Sequence, residues 1–275
     1  MKRSLTRCNI LALITLLAPS HAAVLQGPDE ASTQVDTTTS ATRMANVVAA
    51  QLSKIYNGKT DAVSEDQRDK FKNIVEGMIR TASPINTNAP KTVAAYLKAA
   101  HIVPSGTNQP PTVSVPIQLT IAQLNYGLAR SAAILATLDL TSAAPISEAD
   151  LKASKDMVRN ILGGIASTCQ TFYAQSLANA KPAVRSELTT LRTTFEGMIK
   201  GILTNAGIVG ANNPVDAAYR TFLREAYLSI EKDPVDNTKY IVKGLPLETA
   251  TQSELLKAFL RLSLIGSVLD LMGRA

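Results

Sequence analysis

The 275-residue chain contains no tryptophan, two cysteines and two histidines. Each shortage removes a class of function. Without indole rings a stacking platform for sugars is a poor reading. Cys8 and His21 both fall in the first 22 residues, where a basic start (MKRSLTR), an apolar run (CNILALITLLA) and a small-residue exit (PSHA) read as a secretory leader cut near Ala22. The run, about 11 residues, is shorter than the roughly 20 that span a bilayer. Cys8 lies inside it rather than at its exit, which argues against a lipid-attachment site. The expected mature chain keeps only His101 and Cys169. One cysteine permits no intrachain disulfide, although export implies an oxidising compartment.

The same scarcity limits catalysis. HExxH, CxxC, GxSxG and EF-hand patterns are absent, and a Cys/His pair or a zinc site would need His101 and Cys169 to meet across the chain. No cofactor and no metal are expected. Cys169, set in GGIASTCQTFYA, reads as a small buried apolar residue, and His101, after KAA, as a helix-end residue. NGKT at 57–60 has the end of a phosphate loop but follows a helical pattern, and Ser53 stands where that loop needs glycine, so it reads as a turn. Ser229 and Lys232 form an S-x-x-K without its companion motifs.

Charge of one sign is scarce as well. The formal +6 rests on 28 basic against 22 acidic residues, and Lys2, Arg3 and Arg7 leave with the leader; 28 − 3 = 25, which halves the excess to +3. The remaining basic residues are interspersed with acids, as on an ordinary solvated surface. Nucleic acid is therefore not an expected partner, nor is a polybasic membrane contact.

What the chain does have is helical periodicity. Residues 23–42 show little apolar content and no period, and read as a flexible tail. From Arg43 onward, Val47, Val48, Leu52 and Ile55 share one helix face. A second helix, from a capping box at Ser64 and Gln67 to Ala82, carries Phe71, Ile74, Val75, Met78 and Ile79 as a stripe. A short helix after Pro90 precedes a proline-rich extended link, Ile102 to Ile117, and an apolar helix from Gln118 to Leu140. A further helical run is expected from Ser147 toward Ala180, then helices opening at Pro182 and at Asn213–Pro214, an extended YIVKGLPL, and a closing apolar helix from Thr251 to Met272.

Two of these helices share a motif: EGMIR at 76–80 and EGMIK at 196–200, an offset of 196 − 76 = 120. A four-residue identity arises easily by chance, so the flanks decide. NAPKTVAAYL meets NNPVDAAYRTFL, placing Pro90 opposite Pro214 and Tyr96 opposite Tyr219. TIAQLNYGLARSAAILATLDL meets TQSELLKAFLRLSLIGSVLDL at an offset of 131, placing Arg130 opposite Arg261 and the two LDL triplets opposite one another. The order of parts also repeats. The expected fold is all-α: two tandem, sequence-related helical bundle units, 43–140 and 147–275, with short extended links and no substantial sheet.

Within that scheme Glu76 and Glu196 are the candidate catalytic residues, a carboxylate pair if a pseudo-twofold axis brings them face to face. The competing reading is an ordinary i,i+4 surface pair with Arg80 and Lys200, and it is the stronger one. A mid-helix glycine costs about 1 kcal/mol against alanine. Its recurrence suggests close helix packing at Gly77 with Thr81 and at Gly197 with Gly201. On a helical wheel Arg130 and Arg261 fall opposite the leucine stripe and are expected in solvent. The functional expectation is an exported, non-enzymatic interaction or structural module, periplasmic or extracellular, with a protein partner or self-association. The alternatives are a hydrolase using Glu76 and Glu196, or a lipid or envelope binder with a groove along Thr251 to Met272.

Overall fold

The computed structural model describes residues 44–56, 61–105, 109–113, 121–142 and 146–274. The leader, the tail and the NGKT turn lie outside the described residues. Helix α1 spans 44–56 and buries Met44, Val48, Leu52 and Ile55. Helix α2 (Ala62–Ala82) buries the predicted stripe of Phe71, Ile74, Val75, Met78 and Ile79. Its cap is Asp61 rather than Ser64. The Asp61 carboxylate accepts from the Ser64 backbone N–H (2.9 Å) and from its hydroxyl (3.0 Å), because Ser64 already lies in the first turn.

A short α3 (Val93–Ala99), capped by Thr92, leads into β1 (Ile102–Ser105) and β2 (Gln109–Val113), an antiparallel hairpin in the expected extended link. Helix α4 (Ile121–Thr141) completes the first half. The predicted start at Ser147 is a turn instead, where Asp150 accepts from the Ser147 N–H and hydroxyl. Helix α5 (Lys155–Tyr173) begins after its cap, Ser154, and ends well before Ala180.

Helix α6 (Pro182–Asn205) has proline at its first position, as the sequence predicts. Pro214, not Asn213, occupies the cap of α7 (Val215–Glu225). Strands β3 (Leu228–Lys232) and β4 (Tyr240–Gly244) form a second antiparallel hairpin, and α8 (Gln252–Leu271) opens on a Thr251–Glu254 capping box. The protein is thus mostly helical, with two small two-stranded sheets.

Element order is the same on either side of residue 146: two helices, a short helix, a hairpin and an apolar helix. Each short helix ends in a residue held in the left-handed region just before its hairpin, His101 (φ 61°) after α3 and Tyr227 (φ 54°) after α7. The largest helix contacts join α4 with α8 and α2 with α6. A single hydrophobic cluster draws side chains from both halves, so the two expected units share one core. No described helix is long and apolar enough to cross a membrane.

Candidate functional site

The chemistry of this molecule concentrates in two places, the seam between α4 and α8 and the junction of α5, α6 and α7. At the seam, Arg130 of α4 reaches Asp270 of α8 (2.5 Å), and Arg261 of α8 reaches Asp139 of α4 (3.0 Å). The two helices run antiparallel, and both partners are related by the same interval: 261 − 130 = 131 and 270 − 139 = 131.

Both arginines are buried, Arg130 at 2 % exposure and Arg261 at 8 %. The expectation that they face solvent is overturned. Helix α8 is buried almost all the way round, and the side that carries Arg261 is covered by α4. Burial is tolerated because each cation meets a carboxylate and an aromatic face. Arg130 lies 4.8 Å from the Tyr96 ring centroid and Arg261 5.7 Å from that of Phe222. Glu225 adds a second acid to Arg261 (3.3 Å), and the Tyr96 hydroxyl is 2.8 Å from that of Ser267. The carboxylates inside the two LDL triplets were the sequence signal for this layer.

The second cluster holds one of the two candidate carboxylates. Glu196 accepts a hydrogen bond from the Tyr173 hydroxyl (3.0 Å) and lies 3.7 Å from Lys200, which also pairs with Asp216 (2.8 Å). The Lys200 ammonium sits over the Tyr219 ring, 5.4 Å from its centroid. Burial raises the pKa of Tyr173 and of Tyr219, so both phenols remain protonated at neutral pH. The Asp216 hydrogen bond raises that of Lys200, which therefore stays an ammonium rather than a base. The Tyr219 oxygen is buried close to the Tyr173 hydroxyl.

Behind this group, Arg192 caps the end of α5. Its guanidinium donates to the carbonyls of Phe172 (2.8 Å), Tyr173 (2.9 Å), Gln175 (2.5 Å) and Thr238 (3.1 Å), between the rings of Tyr173 and Tyr240. Sequence reasoning passed over Arg192; its spacing of four from Glu196 was the available hint. In the first half, Arg68 similarly donates to the Ile55 carbonyl at the end of α1, beside the Tyr56 ring.

Glu76 and Glu196 have separate environments. Glu76 is half-exposed on α2 and lies 4.0 Å from Lys72. No hydrogen bond joins the two carboxylates among the described residues. The expected surface pair holds for Glu196 with Lys200, whereas on α2 the lysine one turn before Glu76 takes the place predicted for Arg80.

The glycine expectation is corrected in the second half. A Cβ at Gly197 or at Gly201 would meet nothing within 4 Å, and Gly197 is exposed. At Gly77 a Cβ would meet only Asn205 Nδ2 of α6, at an ordinary 3.5 Å, while Thr81 is exposed. Glycines that do permit close approach are Gly127, where a Cβ would collide with the His101 imidazole, and Gly244, against Leu162. Cys169 is buried, as expected, and burial pushes its thiol up to about 12, which keeps it from acting as a thiolate. No group of three or more His, Cys, Asp or Glu residues is placed to hold a metal ion among the described residues. No protein-family model matches the chain, and neither do the curated proteins or the solved structures with which it was compared.

Proposed function

We propose that this is an exported, non-enzymatic helical protein, built by internal duplication, that acts as an interaction or structural module in the periplasm or outside the cell. The observation that carries it is the reciprocal pairing of Arg130 with Asp270 and Arg261 with Asp139, which commits two buried arginines to holding the halves together. The repeated element order and the left-handed residues His101 and Tyr227 support the duplication. Export rests on the leader pattern and agrees with a chain that leaves a single, buried thiol after cleavage.

N-terminal sequencing of protein recovered from the culture medium or the periplasm is expected to begin at or near Ala23. Cross-linking in that compartment, followed by mass spectrometry, should then recover a protein partner or a second copy. A catalytic turnover abolished by Glu196→Gln with folding intact would return the carboxylate hydrolase to first place, since Glu196 has the Tyr173 hydroxyl and the Lys200 ammonium beside it.

A further inference from the structure

The two edges of the β3–β4 hairpin are finished differently. The β4 edge is covered by α5: the Gln170 amide donates to the Val242 carbonyl (3.0 Å), and Leu162 packs so tightly on Gly244 that a Cβ there would lie 2.9 Å from it. The β3 edge is buried at its start, where Leu228 is 1 % exposed, and becomes accessible from Ile230 to Lys232. Leu245 N–H donates to the Tyr227 carbonyl, and Asp233 N–H to that of Lys239, which continue the ladder at either end. Residues of odd number in β3 thus face β4. The N–H and C=O groups of Leu228, Ile230 and Lys232 point the other way, and no helix or strand pairs with them among the described residues.

Beside that edge lies a groove of about 380 Å3 between α7 and the hairpin. Leu228, Ile230 and Leu245 supply apolar lining on the hairpin side, and Arg220 and Arg224 stand on the helix side. Both arginines are exposed, and neither makes an ion pair within 4 Å among the described residues, although Asp216 lies close enough to feel the charge of Arg220. The one acid on the groove wall, Glu231, is engaged by the Ser229 hydroxyl (2.8 Å). Residues four apart on a helix are separated by about 6 Å along its axis, and alternate residues of a strand by about 6.6 Å. An added strand with acidic side chains at every second position would therefore meet Arg220 and Arg224 in turn.

The geometry points to the β3 edge as a docking site for an extended acidic segment of a partner protein, bound by strand addition and read by Arg220 and Arg224. This deepens the interaction-module reading and rests on it. Unpaired edges are templates for exactly one added strand on each side, and specificity then comes from the alternate side chains. A second copy of this chain is the less suitable occupant, since pairing two β3 edges would bring two sets of the same arginines together.

The test uses the full mature chain and a fluorescein-labelled heptapeptide alternating glutamate with valine, followed by polarisation at low salt. Saturable binding is expected, weakening by about tenfold or more in the Arg220→Ala/Arg224→Ala double variant, with glutamine in place of glutamate, or on raising the salt toward 1 M. A peptide N-methylated on the backbone of alternate residues, which keeps its charge but loses its donors, should bind comparably weakly. Both arginines are exposed, so the double variant should fold, and circular dichroism checks that. No saturable binding, or equal binding by the N-methylated peptide or the double variant, overturns the proposal. So does a light-scattering dimer that excludes the peptide, because the edge then belongs to a second copy. If the peptide fails while cross-linking still recovers a partner, only this surface is lost; if both fail, the interaction-module reading falls with it.

Discussion

The two EGMI helices carry nearly the same residues and meet different surroundings. On α2, Glu76 is half-exposed beside Lys72, and Gly77 looks across to Asn205. On α6, Glu196 is drawn inward by the Tyr173 hydroxyl, Lys200 bridges it toward Asp216, and Gly197 faces open space. The α4–α8 pair behaves in the opposite way, keeping its charged contacts reciprocal. The helices α2 and α6 pack on each other as α4 and α8 do, yet Glu76 and Glu196 take different partners while the α4 and α8 charges pair with one another.

The seam offers the largest test of that contrast. Arg261→Met leaves Asp139 buried without its guanidinium, and a loss of about 3–5 kcal/mol is expected in urea unfolding. The double variant Asp139→Leu/Arg261→Met, which removes both charges, should recover much of that loss. Next in size are the equivalent core methionines. Met78→Ala and Met198→Ala, at 1 % and 2 % exposure, should each cost about 2–5 kcal/mol, and each should shift a single cooperative transition because the halves share one core. Two separable transitions would break the comparison.

The glycines follow. Gly127→Ala forces the His101 ring away from α4 and should cost about 1–3 kcal/mol in thermal unfolding. Gly77→Ala and Gly197→Ala should instead both stabilise, by about 0.5–1 kcal/mol, since neither helix is approached closely there. The smallest effect is a pH slope. Burial lowers the pKa of His101, so its contribution is full above the unfolded value of about 6.5 and is lost as pH falls through the folded value. Melting temperature should decline across that acid range, and His101→Gln should flatten the decline.

Much of the fold was legible because it is written in local terms. The stripe on α2, proline at the start of α6 and the apolar run of α8 each follow from a helical period and a terminus signal within one segment. Boundaries were less legible where two polar residues competed for a cap: Asp61 displaced Ser64, and Ser154 displaced Ser147, because a turn closed by Asp150 comes first. The site was harder to read. Glu196 was nominated for its resemblance to Glu76, yet what surrounds it comes from Tyr173, Lys200 and Asp216 on three different elements. Arg130 and Arg261 were misplaced for a similar reason, since a helical wheel ranks faces without knowing what covers them.

By itself the sequence determined the helical class and much of the order of the elements, because periodicity, caps and proline act over a few neighbouring residues. Only the tertiary structure decided that the halves share one core, that Arg130 and Arg261 are buried in ion pairs, and that one edge of the second hairpin is covered while the other becomes accessible from Ile230. Those outcomes depend on which surfaces exclude water together, and burial of a charge or a strand edge is a property of the pair in contact rather than of either segment alone.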